Sequence, residues 1–144
     1  METQGIEQII RSARVCRLGL TDGNEPYVVP VFFGYHEGRL YFHGKSDGRK
    51  MRIIRDNPRV CFEMDCDFEL VRREVACRWG LRYRSVIGYA TASVVIEAGE
   101  KRAALHYIMS QYSDSDWQFD DESLARTTVV RLEIESMTGR QSGY

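Results

Sequence analysis

Three runs of β-forming residues, set apart by two tight-turn signals, constrain this chain more than any other feature. The first, Arg14-Val15-Cys16-Arg17-Leu18-Gly19-Leu20, alternates in part and ends at Asp22-Gly23-Asn24. The second, Tyr27 to Tyr35, is β-branched and aromatic almost throughout, and His36-Glu37-Gly38 separates it from the third, Leu40-Tyr41-Phe42-His43. Asp-Gly between two such runs is a strong short-range hairpin signal. Hairpin-linked strands pair antiparallel, so the chain does not begin as a βαβ unit. Pro30 cannot donate to a ladder, which predicts a bulge, an edge or a bound group on the strand over 27–35.

Helical spacing interrupts this pattern three times. Ile6, Ile9 and Ile10 predict a short amphipathic helix over 2–12. Met51 and Ile54 predict a second over 47–56, stopped by Asn57-Pro58. Leu105, Ile108, Met109 and Tyr112 predict a third over 100–112. Further strands are predicted at 60–64, 85–96 and 127–135, while 65–81 mixes charges with Trp79 in no clean period and reads as a loop. The fold class is mainly β: about six strands in an antiparallel β-barrel with flanking helices, one domain over residues 1–144.

Composition narrows the functional classes. With 20 Lys and Arg against 21 Asp and Glu, the chain lacks the basic footprint of a nucleic-acid binder. No apolar run approaches a membrane span, and Met1-Glu2-Thr3-Gln4 does not open a signal peptide, so no membrane partner and a cytoplasmic location are expected. Free thiols are the expectation for Cys16, Cys61, Cys66 and Cys77. They show no metal-ligand spacing, and no metal site is expected.

The near-neutral total conceals a separation of charge. Residues 39–59 hold seven cations (Arg39, Lys45, Arg49, Lys50, Arg52, Arg55, Arg59) and two acids, a local +5. Residues 114–122 hold five acids and no cation, which reads as a solvated loop. Ser46 or Asp47 would cap the helix over 47–56, and Arg49, Lys50 and Arg52 then crowd its opening turns. Cations there oppose the helix dipole unless an anion occupies the spot, where free N–H groups, dipole and cations converge on it. His43-Gly44-Lys45-Ser46-Asp47-Gly48-Arg49-Lys50 is therefore either a solvated basic helix face or a phosphate cradle. Neither a Walker loop nor a Rossmann glycine fingerprint is present.

In their order along the chain, Pro30-Val31-Phe32-Phe33-Gly34-Tyr35, Leu40-Tyr41-Phe42-His43-Gly44, Gly48-Arg49-Lys50 and Asn57-Pro58-Arg59-Val60-Cys61-Phe62-Glu63 resemble the FMN-binding split-barrel flavoproteins. Within them the chain is most similar to the pyridoxamine 5′-phosphate oxidase-like proteins of the nitroimidazole-reductase (Nim) type, and Tyr83 to Ala90 resembles the group's second block. The resemblance covers about residues 13–138. It implies a six-stranded antiparallel split barrel, a homodimer with FMN at the subunit interface, and a small-molecule substrate. Lys45, Arg49 and Lys50, with Gly48, would meet the phosphate. Pro30, Val31 and Phe32 would lie along the isoalloxazine, His43 and Gly44 beneath it, and Ser85 and Val86 near the same cleft, from either subunit. Ser136 to Gln141 offers no counterpart of the substrate-phosphate residues of the oxidases proper.

The resemblance implies an FMN-dependent reductase that passes hydride from reduced flavin to a small electrophilic acceptor such as a nitroaromatic, with NADH or NADPH as electron donor. The alternative it leaves is a flavin- or haem-binding carrier or sensor without turnover. His43 is a candidate catalytic group or a strand-end histidine bonded to backbone. Trp79 and Tyr83 wall a substrate cavity or belong to the core. Arg72-Arg73 and Arg82-Arg84 form a second basic region without an assigned role.

Overall fold

The computed structural model describes residues 1–144. Helix α1 (Thr3–Ser12) leads into the hairpin β1 (Cys16–Asp22) and β2 (Glu25–Val31), then β3 (Gly34–His36) and β4 (Arg39–Gly44). Helix α2 (Arg49–Asp56) precedes β5 (Arg59–Val71), a 3-10 turn (Ala76–Arg78) and β6 (Gly80–Val94). The chain ends in α3 (Ala98–Tyr112), α4 (Asp121–Arg126) and β7 (Thr128–Ser142). Both hairpin turns stand where the sequence signals them. Gly23 takes φ +62° at the first turn, and Glu37 and Gly38 take +45° and +78° at the second.

The seven strands form one antiparallel sheet in the order β2-β1-β5-β6-β7-β4-β3. Its two edge strands, β2 and β3, are neighbours in the chain, joined only by Phe32 and Phe33. A sheet whose opposite edges lie two residues apart must curl back on itself, and the result is a barrel split between β2 and β3. This is the break that the sequence places inside one strand over 27–35, and it raises the strand count from six to seven.

Alternation along the strands fills the barrel. Leu18, Leu20, Val31, Leu40, Phe42, Val60, Phe62, Met64, Val86, Ala90, Ala92, Val130 and Leu132 point inward. Ile6, Ile9 and Ile10 of α1 and Met51, Ile53 and Ile54 of α2 join the same core. A smaller core seats α3 and α4 on Tyr41, Val95 and Val129. Gly34 permits the close crossing of α3, since a Cβ there would stand 2.8 Å from the Tyr107 carbonyl oxygen.

Other boundaries differ from expectation for identifiable reasons. Residues 65–81 are not a loop: β5 and β6 run through most of them, and the fourth and fifth strands are longer than 60–64 and 85–96 suggest. One extra residue between Cys66 and Glu69 makes a bulge, where Asp67 takes φ +59°. Beyond it nearly every side chain is exposed, so no buried face imprints a period. The last strand continues to Ser142 rather than stopping at 135, pairing its polar end with Tyr83 to Tyr89. The acidic stretch is not wholly loop, because Asp120 caps a short helix by accepting from Ser123 N–H at 2.7 Å. No helix is long and apolar enough to cross a membrane.

Candidate functional site

The end of β4, the turn after it and the start of α2 gather the basic residues around one small space. The helix begins one turn-step later than the sequence suggests: Gly48, not Ser46 or Asp47, is its N-cap, with φ −70° and ψ 162°. Gly48 has no side chain to accept from the first helical N–H groups, and the first turn carries no acid. The dipole end of α2 is thus left open, the arrangement that favours an anion. At the other end, Arg55 Nη1 donates to the Ser46 carbonyl at 2.7 Å and ties the turn to the helix.

Lys50 lies over Gly44. A Cβ on Gly44 would stand 3.4 Å from Lys50 Nζ and 3.2 Å from Met51 Cε, so glycine leaves this floor open without either side chain having to shift. His43, next to it and exposed, has its pKa lowered first by loss of hydration and then by the Lys50 charge. Its imidazole is therefore neutral at pH 7. Lys45 is exposed at the turn. Lys50, His43, Gly44, Lys45 and Gly48 are thus brought together.

Arg49 stands differently from the sequence expectation. Its guanidinium lies 4.2 Å from the centroid of the Tyr27 ring and 3.6 Å from Asp22. Arg52 takes the same carboxylate at 3.1 Å, and both contacts hold the Asp22 pKa below its ordinary value, the Arg52 hydrogen bond most. Two of the basic helix's cations are thereby engaged by the β1–β2 turn.

Pro30 and Phe32 face outward, whereas Val31 between them points into the core and is 8% exposed. Phe32 is 65% exposed and meets Tyr112 edge-on at 4.5 Å. Together with Arg14 and Val15 they line an apolar pocket of about 500 Å³. Tyr112 fixes the pocket's shape: its hydroxyl accepts from Phe33 N–H at 3.1 Å and donates to the Arg14 carbonyl at 2.9 Å. Helical spacing marks Tyr112 only as a core residue, and no local signal identifies Arg14 or Val15; the strand crossover at 32–33 brings them together.

Ser85 and Val86 stand apart from the corner of β4 and α2 within one protomer. Val94 is level with Phe42 across Val130, and Ser85 lies nine residues back along β6, about 30 Å of strand. Val86 is fully buried. Ser85 lines another pocket, of about 560 Å³, on the outward face with Glu63, Asp65, Tyr83 and Arg140. There Arg17 donates to both Glu63 and Asp65, and burial, ahead of the Asp65 carboxyl, raises the Glu63 pKa. Trp79 and Tyr83 are not core: Trp79 is 48% exposed and Tyr83 is partly so.

Residues 2–141 match the family model described as pyridoxamine 5′-phosphate oxidase. Among solved structures, a candidate 5-nitroimidazole antibiotic resistance protein from Bacteroides thetaiotaomicron is 32% identical, with a TM-score of 0.87 over 96% of this chain and 82% of that one. An FAD- and heme-binding protein from Mycobacterium smegmatis has a TM-score of 0.88 at 17% identity, over 99% of this chain and 72% of that one. The flavocytochrome Anf3 from Azotobacter vinelandii has a TM-score of 0.86 at 20% identity, over 99% and 68%. The last two likenesses are likenesses of fold. No curated protein matches the chain.

Proposed function

The chain belongs to the pyridoxamine 5′-phosphate oxidase family, and from that premise we propose that it is an FMN-dependent oxidoreductase. It acts as a reductase, passing hydride from reduced flavin to a small electrophilic acceptor such as a nitroaromatic, with NADH or NADPH as donor. The observation that carries the proposal is the open start of α2, with Lys50 over the bare floor of Gly44. One basic corner suits a single phosphate, as in FMN, better than a pyrophosphate with adenosine.

The residues present fit that group. Lys50 and the first N–H groups of α2 hold the phosphate, with Lys45 at the rim and Arg49 available by leaving Asp22. Pro30, Val31 and Phe32 support the ring along β2, an edge strand on whose free side the proline presents no N–H. When bound, the flavin supplies the redox chemistry, and the protein supplies position and electrostatics. Neutral His43 sits beside Lys50 and serves binding at the phosphate end, where it gains a proton as the anion arrives. The apolar pocket of Val15, Phe32 and Tyr112 receives the acceptor.

The same reading makes the protein a homodimer. Val28, Phe32, Ile87 and Tyr89 stand on the outward face of β2, β1, β5 and β6 with 45–67% of their surface exposed, while the helices pack elsewhere. Apolar surface on that scale supports association. A second copy there also accounts for Ser85, which then enters the cleft from the partner subunit.

An absorption spectrum of the purified protein, with release and chromatographic identification of the cofactor, tests the binding step. Colourless protein that stays so after incubation with FMN overturns it. Oxidation of NADH or NADPH dependent on a nitroaromatic then tests the reductase; bound FMN without turnover assigns the protein to carriers instead.

A further inference from the structure

Beyond the bulge at Cys66 and Glu69, β5 and β6 continue as a two-stranded arm, residues 67–82, closed by the 3-10 turn Ala76–Arg78. Its side-chain hydrogen bonds remain within the arm or reach only Cys66, Arg84 and Tyr144 at its base. Phe68, Leu70, Val75, Trp79 and Leu81 on it are 46–57% exposed. A free two-stranded ribbon is marginal in water, and clustered exposed apolar side chains mark a surface built to be covered. The arm's ion pairs are Arg82 with Glu69 and Arg84 with Asp67, which leaves Arg72, Arg73 and Arg78 at the tip unpaired beside a single unpaired acid, Glu74, a net positive tip.

The connection between α3 and α4 shows the opposite character. Asp120 caps α4, Asp121 pairs with Arg102 and Glu122 with Arg126, but Asp114 and Asp116 have no cationic partner. Between them and the pocket stands only Ser113, since Tyr112 is a pocket wall. The chain's two tryptophans divide between these two places. Trp79, held by its indole N–H on the Arg73 carbonyl at 2.6 Å, sits among the arm's arginines; Trp117, held on Ser113 Oγ at 3.3 Å, sits among the aspartates. Trp117 is 43% exposed.

We propose that in the homodimer the arm of each protomer lies over the 113–120 segment of its partner and closes the partner's apolar pocket. Arg72, Arg73 and Arg78 face Asp114 and Asp116, and Trp79 packs beside Trp117. This rests on the homodimer inferred above and deepens it, because each acceptor pocket is complete only with a second copy. A two-fold axis makes the contact twice, so modest individual charge pairs add across the dimer. Tryptophan and arginine are the residues that concentrate binding energy at such contacts. The dangling tip and the one-sided pocket are thereby explained together.

Charge reversal tests it. The Arg72→Glu, Arg73→Glu, Arg78→Glu triple variant and the Asp114→Arg, Asp116→Arg double variant alter only solvated side chains. Each is expected to weaken the dimer at least tenfold in sedimentation equilibrium, and the two sets combined to recover it to within about threefold. Tryptophan emission of the unmodified protein is expected to shift to the blue on passing from monomer to dimer concentrations. A dimer indifferent to either reversal, or a combined variant as weak as its parents, overturns the arm contact and leaves the homodimer standing. An unmodified protein that is monomeric at every concentration overturns the homodimer and the contact with it. An arm that binds anionic vesicles or nucleic acid while dimerisation ignores its charge overturns the arm contact alone.

Discussion

Replacing Lys50 separates an anion cradle from a merely basic helix. Lys50→Met keeps most of the stem over Gly44 and Met51 while removing the charge. A hydrogen bond to a charged group contributes about 1.5–3 kcal/mol, so FMN affinity should fall by about 10- to 150-fold. Arg49→Met should cost far less. Before it can meet a phosphate, the Arg49 guanidinium must leave the Tyr27 ring at 4.2 Å, worth about 0.5–1 kcal/mol for an exposed stack. It must also surrender Asp22 at 3.6 Å, an exposed pair of small value. Its net loss should therefore be about threefold or less. Titration of apoprotein into FMN, followed by quenching of flavin fluorescence at low salt, measures both. Circular dichroism melts of the two variants exclude unfolding. Equal losses for Lys50 and Arg49, or an unchanged constant for Lys50→Met, would refute the assignment of the phosphate to the open start of α2.

His43 offers a protonic check. Its folded pKa lies below the unfolded one, so its contribution lowers stability as pH falls from about 6.5 through the folded value. A phosphate beside Lys50 reverses the sign locally, and binding should tighten as pH falls through this range in the native protein more than in His43→Gln. Calorimetry in buffers of different ionisation heat should show the corresponding proton uptake. Gly34→Ala drives a Cβ to 2.5 Å from the Tyr107 carbonyl carbon and must displace α3. Overpacking of this kind costs about 1–3 kcal/mol, some 3–10 °C in Tm for a chain of this size. Gly80→Ala, with open space around it, should melt within about 2 °C of the parent. Among the thiols, burial pushes Cys66 up to about 11, Cys16 higher still and Cys61 upward, while Cys77 is exposed. Iodoacetamide should therefore label Cys77 first in dilute native protein, as peptide mass spectrometry would show.

The barrel was legible wherever one side of a strand is buried. Leu18 and Leu20, Val60, Phe62 and Met64, and Val130 and Leu132 write the period of two into the sequence because each faces the same core. The arm was not legible for the same reason inverted. Phe68, Glu69, Leu70, Arg72 and Trp79 face solvent on both sides, and a strand without a buried face has no period to read. The crossover at Phe32 and Phe33 was hidden because two short strands in continuous β-forming sequence look like one long one. In the site, the charge run pointed to the start of α2, but charge alone could not show that Tyr27 and Asp22 engage Arg49. Those contacts depend on a hairpin laid against the helix, a tertiary fact without a local signature.

Inward and outward parity along β1, β2, β5 and β6 divide the chain's two tasks. Inward residues complete the core within one protomer, and no buried side-chain nitrogen or oxygen lacks a hydrogen-bond partner. Outward residues leave unfinished business: Phe32 stands half bare, Arg140 has no carboxylate within ion-pair reach, and Arg17 alone serves Glu63 and Asp65. The same division holds at the termini of elements. α3 has Glu97 accepting from its first N–H groups and α4 has Asp120, whereas α2 has a glycine and no cap. α1 also lacks a side-chain cap but follows Glu2, whereas α2 opens among cations, where an external anion can supply the missing acceptor. The cradle can therefore be altered at Lys50 without touching a side chain that holds the barrel together, whereas a Cβ on Gly44 would stand 3.2 Å from Cε of the core residue Met51.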